Sequence, residues 1–238
     1  MQPLSFGQIL LYSFIQSDAM GKAIVLLLGA ASVWAWTVCL NKWHEVNRQY
    51  NDCRKFLVLY NRLHASSPLM IGLHLGAQRG PLKEICRSAI GEICKIMGIA
   101  PAQQEQFLSQ PTLPRRLTPA EIEKVRSTMT QTADMISLSL DGDNKWFSIL
   151  ITISPYLGLF GTVWGVMATF IAIARQGKIE ITAIAPGISG ALLTTVAGLF
   201  VAIPTVFANA FINDHINKIN QHMDTFVDNF IATLKLDE

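Results

Sequence analysis

The chain has 238 residues, half of them hydrophobic, a mean hydropathy of +0.34 and a net charge of +2. Only 15% of the residues are charged, against about 25% in ordinary soluble domains, and no basic stripe with interleaved aromatics makes a case for nucleic-acid binding. Charge is absent from three stretches: the 29 residues between Lys145 and Arg175, the 33 between Glu180 and Asp214, and the 19 from Ala23 to Asn41 hold no Asp, Glu, Lys, Arg or His. A bilayer span needs about 20 mainly apolar residues, so the expected fold class is an all-α integral membrane protein with three transmembrane helices.

In chain order, residues 1–22 form an N-terminal segment. Its stretch 4–16 (LSFGQILLYSFIQ) reads as a short interfacial helix with a break at Ser17-Asp18. Lys22 is its one basic residue and no small-residue cleavage site follows the apolar run, so span one is expected to stay in the mature protein. Span one covers 23–41, and Trp34, Trp36 and Trp43 near its exit suit a headgroup zone. The segment 42–146 is a long helical loop. Helical spacing of Trp43, Val46, Tyr50, Leu57 and Tyr60 carries the first helix on to about Leu63, where Ser66-Ser67-Pro68 interrupts it. A second helix is predicted over 81–97, ended by Gly98, followed by a least regular stretch, 101–117, holding Pro101, Pro111 and Pro114. Thr118-Pro119-Ala120-Glu121 then combines a Thr N-cap, Pro at the first helical position and Glu at the reciprocal capping position, which opens a helix running to about Leu140.

Span two is expected over 147–174, a short turn over 175–182 and span three over 183–211, leaving 212–238 as a C-terminal helix. Ile216, Ile219, Met223, Phe226, Val227, Phe230 and Leu234 give that tail one apolar stripe, suited to packing on the 42–63 and 119–140 helices or on neighbouring subunits. Thirty-three uncharged residues rise about 50 Å as a helix, more than the roughly 30 Å of hydrocarbon, so part of the third helix extends beyond the lipid. Residues 41–146 hold 14 Lys/Arg against 10 Asp/Glu, and Lys42 and Arg48 directly follow span one. The excess of basic residues marks a cytoplasmic side. That places the N-terminus outside, the long loop inside, the 175–182 turn outside and the C-terminus inside.

Spans two and three carry rows of small residues. Gly158 and Thr162, and Gly161 and Gly165, are spaced by four in span two; Gly187, Ala191 and Thr195, and Gly190, Thr194, Gly198 and Ala202, form two rows in span three. Such rows let helix backbones approach closely in lipid, where van der Waals contact replaces the hydrophobic drive. Thr162, Thr194 and Thr195 add hydroxyls to these rows, which suits either bonds back to their own helices or a polar line through an assembly. Pro155 and Pro204 each remove an intrahelical hydrogen bond and favour a kink.

The spans contain no acidic or basic residue, although proton and ion paths usually need an ionisable group; a proton path here calls for a carboxylate from another chain. No phosphate-binding loop, dinucleotide fingerprint or HExxH motif occurs, so nothing points to an enzyme, a cofactor or a metal. Cys53, Cys86 and Cys94 are expected as free thiols in a reducing compartment, with Cys39 near the membrane face; the Cys86/Cys94 pair without an ordered His partner makes a poor metal site. His44, His64, His74, His215 and His222 read as solvated or interfacial.

The runs ISPYLGLFGTVWGVMATFIAI (153–173) and APGISGALLTTVAGLFVAIPTVFANAF (185–211) resemble the TolQ, ExbB and MotA family of proton-driven motor subunits. ASVWAWTVCLNKWHEVNR (31–48) and NKINQHMDTFVDNFIATL (217–234) are similar to that family's first span and C-terminal helix, its TolQ branch being nearest. The resemblance implies a homopentamer in the bacterial inner membrane around two copies of a single-span TolR- or ExbD-like partner, whose membrane aspartate carries the proton, the coupling ion. It further implies a TolA- or TonB-like envelope-spanning protein beyond that partner, and outer-membrane constriction as the work done. By motif match Thr162 and Thr195 line the proton path, with Thr194 a weaker candidate because relatives often have alanine there. Gly190 departs from the family, whose TolQ- and ExbB-like members commonly have glutamate at that point. An ExbB-like role energising outer-membrane uptake, and a non-conducting membrane scaffold, remain alternatives.

Overall fold

A computed structural model describes residues 5–63, 80–99, 115–142, 144–176 and 181–236 of the chain. Ser66-Ser67-Pro68, the prolines at 101, 111 and 114, and residues 177–180 of the expected turn lie outside the described residues. The described chain is all-α: α1 (Phe6–Gln16), α2 (Ala19–Leu63), α3 (Pro81–Ile96), α4 (Pro119–Asp141), α5 (Asn144–Gln176) and α6 (Ile181–Leu236). Three stretches, in α2, α5 and α6, are long and apolar enough to cross a membrane, so this is a multi-pass membrane protein. The chain divides into two compact units, Met1–Lys42 with Asp143–Phe211, and Trp43–Gly142 with Ile212–Glu238.

In the first unit, α1 and α2 meet at a corner. Ser17 has an extended backbone (φ −62°, ψ 149°), and its N–H and hydroxyl both bond back to Ser13 O, at 3.1 and 2.8 Å. Asp18 then caps α2 by accepting from Gly21 N at 2.8 Å. The two short polar residues thus satisfy the last turn of one helix and the first turn of the next, which is why the chain breaks there. Ile24 and Leu28 of α2 are buried with Val201 of α6, and Leu157 of α5 and Ala197 pack around them. Trp34 and Trp146 meet edge to face, with ring centroids 5.8 Å apart. The outward surfaces of these helices are apolar, with Leu26, Val33, Phe160, Val163, Phe200 and Phe207 exposed, as expected of surfaces that meet lipid rather than water.

The second unit has an ordinary packed core. α4 opens as its sequence signal requires: Glu121 N donates to Thr118 Oγ1 at 3.3 Å, and Thr118 N donates to Glu121 Oε2 at 2.8 Å. Arg115 grips the same carboxylate at 2.6 and 2.9 Å, so the Glu121 carboxyl is held down at about 2, first by Arg115 and then by the Thr118 backbone N–H. The tail stripe is inward throughout, with Ile216, Ile219, Met223, Phe226, Val227, Phe230 and Leu234 all buried. Phe226 packs edge to face on Phe56 and Tyr60 at 5.3 and 5.2 Å. On α2 the buried positions are Val46, Cys53, Phe56 and Tyr60, whereas Trp43 is exposed and Tyr50 and Leu57 are half-buried; the true stripe is rotated slightly from the one read in the sequence. Burial pushes the Cys53 and Cys86 thiols up to about 12, which leaves them protonated and unreactive at neutral pH. Buried Glu92 is tied to Lys124 at 2.9 Å and to Lys95 at 3.4 Å, and the Lys124 hydrogen bond leads in holding its carboxyl below the usual range.

Candidate functional site

The site is built on the antiparallel contact of α5 and α6. A Cβ at Gly158 would stand 2.8 Å from Thr194 O and 3.0 Å from Thr195 Cα; one at Gly198 would stand 2.5 Å from Ser154 O and 3.2 Å from Gly158 Cα. Gly161 makes room for the Thr194 side chain, Gly165 for the Ala191 methyl and Gly187 for the Thr169 side chain, while backbone meets backbone at Gly158 and Gly198, an approach that any side chain at either position prevents. α5 continues through Pro155, and α6 continues through Pro204 as well as through Pro186, a position the sequence reading did not single out.

The close seam brings three hydroxyls together. Thr162 Oγ1 lies 2.5 Å from Thr195 Oγ1, 3.3 Å from Thr194 Oγ1 and 2.9 Å from Ala191 O. Thr194 Oγ1 lies 2.7 Å from Ala191 O and 2.9 Å from Gly158 O, and Thr195 Oγ1 lies 3.3 Å from Gly158 O. Each hydroxyl has one proton to give. A consistent assignment has Thr195 donating to Thr162, Thr162 to Ala191 O, and Thr194 to Ala191 O or Gly158 O. The three differ in access: Thr194 is fully buried, while Thr162 and Thr195 are half-buried and keep an open side. A proton turned outward from Thr162 or Thr195 meets whatever stands there; one turned outward from Thr194 meets protein.

Gly190 does not belong to this seam. A Cβ there would stand 2.5 Å from Ser17 Oγ and 2.8 Å from Ser17 Cα, so the α1–α2 corner occupies the place of a side chain. The corner is also tied by Ser13 Oγ to Ser189 Oγ at 2.7 Å and by Trp164 Nε1, which donates to Asp18 Oδ2 at 3.1 Å. No local pattern signals these contacts, because their partners lie 176 and 146 residues apart. Two larger cavities lie elsewhere: an apolar groove of about 600 Å³ bordered by Leu10, Phe14, Leu28 and Phe200 in the first unit, and a mixed one of about 510 Å³ bordered by Arg48, Asp52, Glu84 and Ser139 in the second. Neither gathers a set of groups with a chemical role.

A family model described as the MotA/TolQ/ExbB proton channel family matches residues 100–225, a stretch that includes all three threonines. Similar proteins include ones named TolQ and ones named ExbB. The Tol-Pal system protein TolQ of Haemophilus influenzae is 40% identical over 96 residues, 40% of this chain and 42% of that protein. The biopolymer transport protein ExbB of Neisseria gonorrhoeae is 46% identical over 71 residues, 30% of this chain and 32% of that protein. ExbB of Pseudomonas putida is 27% identical over 190 residues, 80% of this chain but 52% of that protein. The chain thus spans about half or less of the length of these relatives.

Proposed function

This chain belongs to the MotA/TolQ/ExbB proton channel family, and from that premise we propose that it is a TolQ-like stator subunit of a proton-driven inner-membrane motor. Its N-terminus faces the periplasm and its C-terminus the cytoplasm; span one runs over 23–41, span two over 147–174 and span three over 183–211. Five copies form a ring around two copies of a single-span TolR-like partner, and the work passes through a TolA-like envelope-spanning protein to constriction of the outer membrane. The coupling ion is the proton, and no other cofactor takes part.

The observation that carries this reading is the Thr162–Thr195 pair, half-buried on spans that hold no charged residue of their own. A carboxylate supplied by the partner is costly to keep ionised in a low-dielectric pore. The two hydroxyls offset part of that cost by turning their protons outward, each such bond to a charged group contributing about 1.5–3 kcal/mol. Protonating the carboxylate removes that preference, and Thr195 returns its proton to Thr162. Alternating protonation of two carboxylates then shifts their preferred contacts and turns the inner pair against the ring. Thr194 holds the seam and does not line the path.

The test is co-expression with a TolR-like single-span protein, purification of the complex, and proton uptake into vesicles for wild type, Thr162→Val and Thr195→Val. The reading expects an assembled complex whose flux falls in both variants. Unchanged flux in both, with assembly intact, refutes the hydroxyl-lined path and favours a scaffold. The P. putida alignment over 80% of this chain favours a second reading, an ExbB-like subunit energising outer-membrane uptake. Pull-down with TolR-like against ExbD-like partners separates the two.

A further inference from the structure

The α1–α2 corner touches both helices that carry the threonine pair, through three kinds of contact. The first is polar: Trp164 donates its indole N–H to Asp18 Oδ2 at 3.1 Å. Trp164 lies two residues beyond Thr162 on α5, about 3 Å along the helix. The second is a hydroxyl pair, Ser13 with Ser189 of α6 at 2.7 Å. The third is steric: Gly190 of α6 lies against Ser17 backbone, with Ser17 Cα 2.8 Å from where a Cβ would be. Gly190 is five residues before Thr195, about 7.5 Å along α6. Asp18 is held in turn by its bond to Gly21 N at 2.8 Å, so the carboxylate is a fixed post rather than a swinging arm. Ser17 is pinned likewise, by its own hydroxyl on Ser13 O.

We propose that Asp18 is a positioning residue, and that the corner it anchors is a clamp that sets the height and rotation of α6 against α5 so that Thr195 meets Thr162. The two polar ties grip one helix each, Trp164 on α5 and Ser189 on α6, while the glycine seat fixes how closely α6 approaches. Two antiparallel helices joined along a stripe of small residues have few bulky side chains to fix their height and rotation. A third body bonded to both supplies that constraint. This rests on the proposed proton path only for its consequence; the clamp itself is a statement about geometry.

The test uses the full chain in membranes. A Ser13→Cys/Ser189→Cys variant is expected to form its disulfide under mild oxidant, detected by peptide mapping, because the two oxygens stand in contact. A Thr162→Cys/Thr195→Cys variant then reports the seam directly. Adding Asp18→Asn, which keeps an acceptor for Gly21 N–H but no longer presents a carboxylate to the indole, is expected to slow that second cross-link several-fold. Trp164→Phe should slow it equally, and the combination should be no worse than either alone, since both remove one contact. Without the cysteine pair, and with the single-span partner present, Asp18→Asn should lower proton uptake in the same proportion. Cross-linking at 162/195 that is indifferent to Asp18→Asn and Trp164→Phe overturns the clamp, whatever the flux. Cross-linking that responds while no variant, wild type included, carries protons leaves the clamp standing and overturns the proton-path reading instead.

Discussion

Gly158→Ala is the sharpest probe of the seam, because the structure says which atoms the added methyl meets. Its Cβ would lie 2.8 Å from Thr194 O and 3.0 Å from Thr195 Cα, both backbone atoms of a helix that can yield only by moving bodily. Restoring ordinary contact requires the helices to separate by roughly half an ångström. Overpacking of this kind costs about 1–3 kcal/mol, set against the 0.5–1 kcal/mol that alanine gains over glycine in a helix. Gly91 in α3 is the matched control, since nothing lies within 4 Å of its Cβ position and only the helical gain applies. The two variants should therefore differ by about 1–3 kcal/mol, Gly158→Ala being the less stable. Denaturant unfolding in detergent, followed by loss of helicity, measures both. Gly158→Ala matching or exceeding Gly91→Ala in stability refutes the backbone-contact seam.

Four further outcomes follow from the structure. Thr194→Val should lower the stability of the α5–α6 pair by about 0.6 kcal/mol and at most about 1.7, the average and maximum for hydrogen bonds between membrane helices, while leaving flux per assembled complex unchanged; Thr195→Val should lower flux tenfold or more, the loss of one bond to a charge. Phe226→Ala removes a fully buried ring that packs on Phe56 and Tyr60 and should cost about 3–5 kcal/mol in thermal or denaturant unfolding. The Glu121 carboxyl is held at about 2 by Arg115 and the Thr118 cap, below its ordinary 4.5. A depressed carboxyl stabilises the fold fully above its unfolded pKa, and this contribution is lost as pH falls toward the folded one. Acid titrations of wild type and Glu121→Gln should therefore separate above about pH 4.5 and converge near 2; a constant gap down to pH 2 contradicts the capping ion pair.

What the sequence made legible was local. The α4 cap is written in four consecutive residues, and all of its hydrogen bonds form. The small rows of the apolar helices are equally local, because a four-residue spacing fixes which side of a helix is narrow. It does not fix what fills the narrow side. Gly190, Thr194, Gly198 and Ala202 read as one row and are all buried, yet Gly190 receives the α1–α2 corner while Thr194 and Gly198 receive α5. The ranking of the threonines shows the same limit. Thr194 and Thr195 are adjacent, and a single residue's rotation on the helix puts one wholly inside the seam and leaves the other an open side. On α2 the expected stripe missed Cys53 and Phe56, which are buried, and included Trp43, which is exposed; aromatic bulk is a poor guide to the inward face where a helix leaves an apolar environment.

The use of neutral hydroxyls in place of a charge has an energetic reason under the proposed function. At an effective dielectric of 20, opposite unit charges 4 Å apart attract by about 4 kcal/mol. A proton falling through 100 mV releases about 2.3 kcal/mol. A lysine or arginine opposite the partner's carboxylate would thus hold it more strongly than one proton's passage can release, and the path would become a trap. A single threonine hydroxyl offers less, about 1.5–3 kcal/mol, and it has an internal partner ready: when the carboxylate is protonated, Thr195 has Thr162 at 2.5 Å and Gly158 O at 3.3 Å to accept its hydrogen bond. Neither hydroxyl is left unpaired in a dry site when the carboxylate departs, so the desolvation penalty that makes an abandoned buried donor costly does not arise. The close glycine seam makes this exchange possible, because only backbones in contact bring hydroxyls of two helices within reach of each other's carbonyls.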